Sequence, residues 1–200
     1  YANEFKKQNI EFNQSNQEII VSGNLKAKDY VVQGDISSQF ITGFMFVLPL
    51  LDQDSTLTIT EPYESKSYVN LTIQMLAKFG IEILEISSNS YLIKGNQHYK
   101  AQDVSVEGDF SQLAFFAVLG TLNNTLSCSN MDMSSKQGDK AILDCIPSFT
   151  SDKDTITFTK KQPAPQTIDL SNCPDLGPIL CVLASFTNGE TNIVNAARLR

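Results

Sequence analysis

The chain has 200 residues, of which 42% are hydrophobic, and 15 Lys and Arg against 22 Asp and Glu give a net charge of −7. That is enough apolar material for one large core or two small ones. No acidic tail or basic face is legible, and only two arginines occur, Arg198 and Arg200, so nucleic acid is not an expected partner. In chain order, a strand at about 29–34 precedes Phe40–Leu51, a helix apolar on every side. Thr56–Thr60 alternates strictly and reads as a strand. Ser65–Phe79 reads as a helix, with Val69, Ile73 and Leu76 on one stripe widened by Met75 and Phe79, and Gly80 as its stop. Ile81–Ile86 and Tyr91–Gly95, joined by a Ser-Asn-Ser turn, form a hairpin. Beyond them come a strand at Val104–Val106, an apolar helix at Phe110–Leu119, a weak strand at Thr125–Cys128 and a short helix at Asp139–Phe149. Thr155–Thr159 alternates like the first Thr-rich strand, Thr167–Leu170 is a short strand, and Asp175–Phe186 is a third apolar helix.

These elements divide polarity in an unusual way. In a doubly wound fold the strands are apolar throughout and the helices are amphipathic. Here the helices are apolar all round and the strands carry one Thr-rich polar face. The helices must therefore lie inside, with sheets around them that are wet on their outer side. The expected class is an inside-out α/β assembly.

The order of elements also repeats. Strand, helix, strand, helix, strand, strand fills residues ~29–95, and a second round begins near Val104. The phrase "GDISSQF" at Gly34–Phe40 is echoed by "GDFSQLAFF" at Gly108–Phe116, 74 residues on. Each places Gly-Asp, an apolar residue and Ser before an apolar helix. One reading is capping, in which Ser37 or Ser38 satisfies an orphan N–H. The other is an anion site, since Ser37, Ser38 and Gln39 offer more donors than one cap needs, at the positive end of a helix. Asp175 has a similar pair of readings: a helix-end carboxylate that complements the dipole, or a general base. Gln137-Gly138-Asp139 reads as a helix-start turn.

Four cysteines occur without a CxxC pair, and His98 is the single histidine, so no metal site is expected. Cys145 and Cys181 lie in apolar segments and read as small buried thiols. Residues 1–9 are polar, and no apolar run approaches the ~20 residues of a membrane span. The cytoplasm is the expected setting, with no membrane partner.

Five stretches in order resemble one family. They are "GDISSQF", "ESKSYVNLTIQMLAKFGIEI" (Glu64–Ile83), "VEGDFSQLAFF" (Val106–Phe116), "QGD" (Gln137–Asp139) and "DLSNCPDLGPILCVLASF" (Asp169–Phe186). Together with the terminal "ARLR" they resemble 5-enolpyruvylshikimate-3-phosphate synthase along nearly the whole chain. The resemblance implies two domains built from inside-out βαβαββ units. Residues 1–106 would be the last part of the first domain and 107–200 the first part of the second. It also implies transfer of the enolpyruvyl group of phosphoenolpyruvate to the 5-hydroxyl of shikimate 3-phosphate, with no metal or organic cofactor. By the same resemblance Ser37, Ser38 and Ser65 bind the phosphate of shikimate 3-phosphate. Gln39 touches both substrates, Tyr68 lines the shikimate side, and Asp175 handles the hydroxyl proton. The family often has Pro where this chain has Ser67. The cationic residues of the family lie outside this sequence, so the chain is expected to be an internal fragment, inactive alone, of a monomeric parent enzyme. The rival readings are a non-catalytic phosphate-binding or folding module, and an enolpyruvyl transferase acting on UDP-N-acetylglucosamine. The latter carries a reactive Cys on a mobile loop, and no Cys here lies in a Gly-rich loop.

Overall fold

A computed structural model describes residues 1–199. Arg200, and with it the end of "ARLR", lies outside the described residues. The chain forms two compact units. The first comprises Tyr1–Tyr63 and Thr72–Gln102, and the second comprises Glu64–Leu71 and the residues from Asp103 on.

In the first unit, α1 (Ala2–Lys7) leads into an antiparallel hairpin, β1 (Glu11–Gln14) with β2 (Ile19–Ser22). The main sheet takes β3 (Asp29–Gln33), β4 (Ser55–Thr60), β5 (Ile83–Ser87) and β6 (Ser90–Ile93) in the order β3-β4-β6-β5. β3 runs parallel to β4, and the other pairs are antiparallel. Two-residue alternation selects the buried face. Tyr30 and Val32 pair with Leu57 and Ile59 in the parallel ladder, Tyr91 faces Leu57 in the antiparallel one, and all five are buried. Val31, between the first two, is exposed. α2 (Ser38–Val47), continued by a 3-10 turn at Leu48–Leu50, lies on that inner face. Its residues Ile41, Phe44, Met45 and Leu48 follow the i, i+3, i+4, i+7 stripe and are buried, and the rings of Phe44 and Tyr30 lie 4.8 Å apart. Burying each such side chain contributes about 1.5–3 kcal/mol. α3 runs over Lys66–Lys78.

Besides Glu64–Leu71, which holds the start of α3, the second unit contains α4 (Phe110–Leu122), followed by β7 (Leu126–Cys128). A 3-10 turn at Gly138–Ala141 passes into a single helical turn, α5 (Ile142–Cys145). β8 (Phe149–Asp152) and β9 (Thr155–Phe158) complete an antiparallel sheet of order β7-β9-β8. β10 (Thr167–Asp169) and β11 (Asn192–Val194) pair in parallel, the crossover between them containing α6 (Gly177–Ser185). Phe110, Leu113, Ala117, Ile142, Ile156, Phe158, Leu176 and Leu180 belong to one buried cluster in which α4 and α6 meet the sheet.

The architecture is the expected inside-out α/β arrangement of βαβαββ repeats. Wet-faced strands carry helices on their buried side, and the second sheet repeats the β4-β6-β5 order of the first as β7-β9-β8. Among the described residues no helix is long and apolar enough to cross a membrane.

Several local expectations are corrected. The helix expected over Asp139–Phe149 ends at Cys145, because Ile146 precedes Pro147 and takes an extended conformation (φ −93°, ψ 127°). The chain is then free to form β8. Val104–Val106 is not a strand, since three alternating residues find no ladder partner there. Cys181 is exposed rather than buried, because α6 buries Ile179, Leu180 and Leu183 and turns Cys181 and Val182 to the opposite side. Cys145 is half-buried, and Cys173 is the buried thiol. The apolar helices also keep one face open: Phe46 on α2, Phe115, Phe116 and Leu119 on α4, and Val182 on α6 are each about half exposed.

Candidate active site

The expected site residues fall in both units. Ser37, Ser38 and Gln39 start α2 in the first. Ser37 is the N-cap, in extended conformation, and its Oγ accepts from the Gln39 N–H at 3.2 Å. Ser38 is the first helical residue and is half-buried, and Gln39 follows it on the exposed side. Ser65, Tyr68 and Asp175 come together in the second unit, with two residues of different expected roles, Ser67 and Asp139.

The Glu64–Leu71 segment supplies three of these. Ser65 is buried and sits in the left-handed region at φ +56°, with its N–H donating to the Ser171 carbonyl at 3.1 Å. The Ser67 hydroxyl donates to the Asn172 carbonyl at 2.9 Å. These two bonds tie the first turn of α3 to the loop before α6 and bring Tyr68 beside the acids that follow. The Tyr68 Oη lies 2.9 Å from Asp139 Oδ2 and 3.1 Å from Asp175 Oδ2. Burial, then the charge of Asp139 and that of Asp175, push the phenol well above its ordinary range, so it stays neutral and can donate.

The two carboxylates sit in different surroundings. Asp175 lies in the 3-10 turn Pro174–Leu176 that leads into α6 and is exposed. Asp139 is only 3% exposed, and burial, reinforced by the charges of Asp175 and Asp109, raises its carboxyl to about 6 against the pull of the Tyr68 hydrogen bond. As expected, "QGD" begins a helical turn, yet Asp139 does more than that. No local pattern marks it, because its burial and its partner come from residues distant in the chain.

The neighbouring "EGD" and "QGD" stretches interlock. The Gln137 side-chain oxygen accepts from the Phe110 N–H at 2.9 Å, and its amide donates to Glu107 Oε1 at 2.8 Å and to the Gly108 carbonyl at 2.9 Å. Ser135 also donates to Glu107, at 2.8 Å. Asp109 caps α4, accepting from the N–H groups of Ser111 and Gln112. Gln137 is therefore a fully used support for the start of α4.

Two solved structures share this fold: an enolpyruvyl transferase, NikO, from Streptomyces tendae, and EPSP synthase from Acinetobacter baumannii. They align with TM-scores of 0.73 at 14% and 16% identity, over 96% and 100% of this chain and 49% and 48% of theirs. The fold is thus that of the enolpyruvyl transferases. The family model described as EPSP synthase (3-phosphoshikimate 1-carboxyvinyltransferase) matches residues 5–200. The 3-phosphoshikimate 1-carboxyvinyltransferases of Clostridium kluyveri and Clostridium novyi are 44% and 45% identical to this chain over all of its length. The chain belongs to the EPSP synthase family. It spans about half the length of these curated relatives, 48% and 47%.

Proposed function

We propose that the complete polypeptide carrying this sequence transfers the enolpyruvyl group of phosphoenolpyruvate to the 5-hydroxyl of shikimate 3-phosphate, releasing phosphate. These two substrates are its partners, the chemistry uses no metal or organic cofactor, and its setting is the cytoplasm. Asp175 is the catalytic residue that takes the hydroxyl proton. Ser37, Ser38 and Ser65 bind the phosphate of shikimate 3-phosphate, Gln39 touches both substrates, and Tyr68 lines the shikimate side. Residues 1–106 form the last part of the first domain and 107–200 the first part of the second, a division supported by the compact unit that resumes at Asp103.

The observation that carries this reading is the hydrogen bond between Tyr68 and Asp175. A general base needs an accessible carboxylate held in one orientation by a neighbour. Asp175 is exposed, and one of its oxygens is held by the phenol of a residue from another part of the chain. No cysteine lies in a Gly-rich loop, which disfavours a mechanism built on a loop thiol: Cys128 is in β7, Cys145 ends α5, Cys173 is buried and Cys181 is on α6. The test is Asp175→Ala in the complete polypeptide. Turnover of shikimate 3-phosphate falls by a factor of about 100 to 10,000, the usual contribution of a general base. Unchanged turnover would remove Asp175 from the mechanism.

A further inference from the structure

The hydrogens around Tyr68 do not suffice for its contacts if both acids are ionised. The phenol carries one hydrogen, yet its oxygen lies within hydrogen-bond distance of two carboxylate oxygens. One of those contacts needs a hydrogen from a carboxyl group. Two features place it on Asp139. Asp139 is buried whereas Asp175 is exposed, and the buried member of such a pair is the one that stays neutral. In addition, Asp139 Oδ1 is buried without a hydrogen-bond partner among the described residues. A full negative charge would leave that oxygen unsatisfied, at greater cost than a neutral carboxyl.

We infer that Asp139 is a positioning residue that works in its protonated form: it donates to the Tyr68 oxygen, which fixes the Tyr68 hydrogen on Asp175. The chain of bonds then runs in one direction, from the buried acid through the phenol to the exposed carboxylate. Asp175 is held in one orientation, with its other oxygen left to take a proton. In the transfer step the substrate O–H bond breaks and an O–H bond forms on Asp175. The proton on Asp139 is neither consumed nor released. If Asp139 ionises, the single phenolic hydrogen is shared between two anions, and Asp175 loses its fixed donor. The titratable groups that face Asp139 are Tyr68 from α3, Asp175 from the turn before α6, Asp109 from the cap of α4 and Cys173 from the loop between β10 and that turn. The adjacent Lys140 donates to the Met133 carbonyl.

This inference rests on the role proposed for Asp175. The experiment measures kcat and KM against pH for the complete polypeptide and for variants at Asp139. Asp139→Leu lowers kcat roughly tenfold, the scale of one lost hydrogen bond to a charged group, and leaves KM for shikimate 3-phosphate within about twofold. Asp139→Asn recovers most of that loss, because its amide donates to Tyr68 at every pH, and it removes the decline in kcat that accompanies Asp139 ionisation. A kcat profile for Asp139→Asn that superimposes on that of the unsubstituted protein overturns the inference, as does a loss equal to that of Asp139→Leu at every pH. Should Asp139→Leu fail to fold, the profile of Asp139→Asn decides alone. Asp175→Asn separates the two layers. If it leaves kcat unchanged, the proposed role of Asp175 fails. If it abolishes turnover while the Asp139 variants do not differ from the unsubstituted protein, only the present inference fails.

Discussion

The helices α2 and α4 start from the same words, Gly-Asp-apolar-Ser, and start two residues apart relative to them. In the second copy Asp109, directly after the glycine, is the cap. In the first copy the chain goes on to Ser37, the third residue after the glycine, before α2 begins. The electrostatic result differs accordingly. The N-terminus of α4 already holds a carboxylate, two of its N–H groups are occupied by Asp109, and a third is occupied by Gln137. The N-terminus of α2 is capped by a neutral hydroxyl. A helix end satisfied by its own anion repels a second one, whereas a neutrally capped end keeps its attraction for phosphate. The same sequence phrase therefore makes a closed helix start in one unit and an anion-compatible one in the other.

What the copies share is the glycine, and the reason is close approach rather than backbone freedom. A Cβ on Gly34 would lie 2.5 Å from the Thr60 carbonyl oxygen and 2.7 Å from that of Pro62. A Cβ on Gly108 would lie 2.5 Å from the Asn130 carbonyl oxygen and from the Met131 sulfur. Gly108 also donates its N–H to that Asn130 oxygen at 2.7 Å. Gly34→Ala and Gly108→Ala each destabilise the protein by roughly 1–3 kcal/mol, the range for overpacking against atoms that cannot easily move. Gly34→Ala falls at the upper end, since its two tightest contacts are both backbone oxygens, whereas one of the two tightest at Gly108 is the sulfur of the Met131 side chain, which can give. Urea midpoints of the two variants measure this. Equal, negligible shifts would mean that the shared glycine is not a packing device.

Much of the frame was legible because period and composition are local. Alternation in Tyr30–Val32, Ser55–Thr60 and Thr155–Phe158 marks the buried side of each sheet without any tertiary knowledge. The segments that escaped lack such a mark. β1 and β2 are exposed almost throughout, so no burial rhythm exists to be read. β8 hides behind an apolar stretch that Pro147 divides. At the candidate site, it is the resemblance of whole motifs that points to Ser65, Tyr68 and Asp175. Asp139 was not, because its character is set by a tyrosine 71 positions away and by burial that "QGDK" does not encode. The two-residue offset of the caps was equally hidden, since the letters around Gly34 and Gly108 agree where the backbones do not.

Converting one copy into the other tests the electrostatic half of the comparison. Ser37→Asp gives α2 the kind of cap that α4 has. The helix keeps its capping acceptor and gains a favourable charge at its positive end, so stability stays equal or rises by about 0.3–1 kcal/mol. Binding of shikimate 3-phosphate to the complete polypeptide, followed by calorimetric titration, weakens by about tenfold, as expected for a like charge at a phosphate site near the protein surface. Unchanged affinity in a stably folded variant would separate the start of α2 from phosphate recognition and leave the two helix starts functionally alike.

The smallest effect comes from the reverse change, Asp109→Asn. The amide oxygen can still accept from the Ser111 and Gln112 N–H groups, so the cap geometry survives while its charge goes. The loss of charge at the positive end of α4 costs a few tenths of a kcal/mol. Against that loss works a relief at Asp139, whose carboxyl is held high by burial and by the charges of Asp175 and Asp109. An acid raised in the folded state binds its proton more tightly there than in the unfolded chain. Its stabilising contribution is complete below the ordinary carboxyl range and disappears as pH rises through about 6. Stability of the unsubstituted protein therefore declines between about pH 4 and 6 on account of this group. Asp109→Asn moves the end of that decline to lower pH, and Asp139→Asn abolishes it. Urea midpoints measured from pH 4 to 8 resolve the order: the Asp109→Asn curve crosses toward the unsubstituted one as pH rises, because the charge it removes matters most once Asp139 is ionised. Parallel curves would show that the cap of α4 and the buried acid do not sense each other.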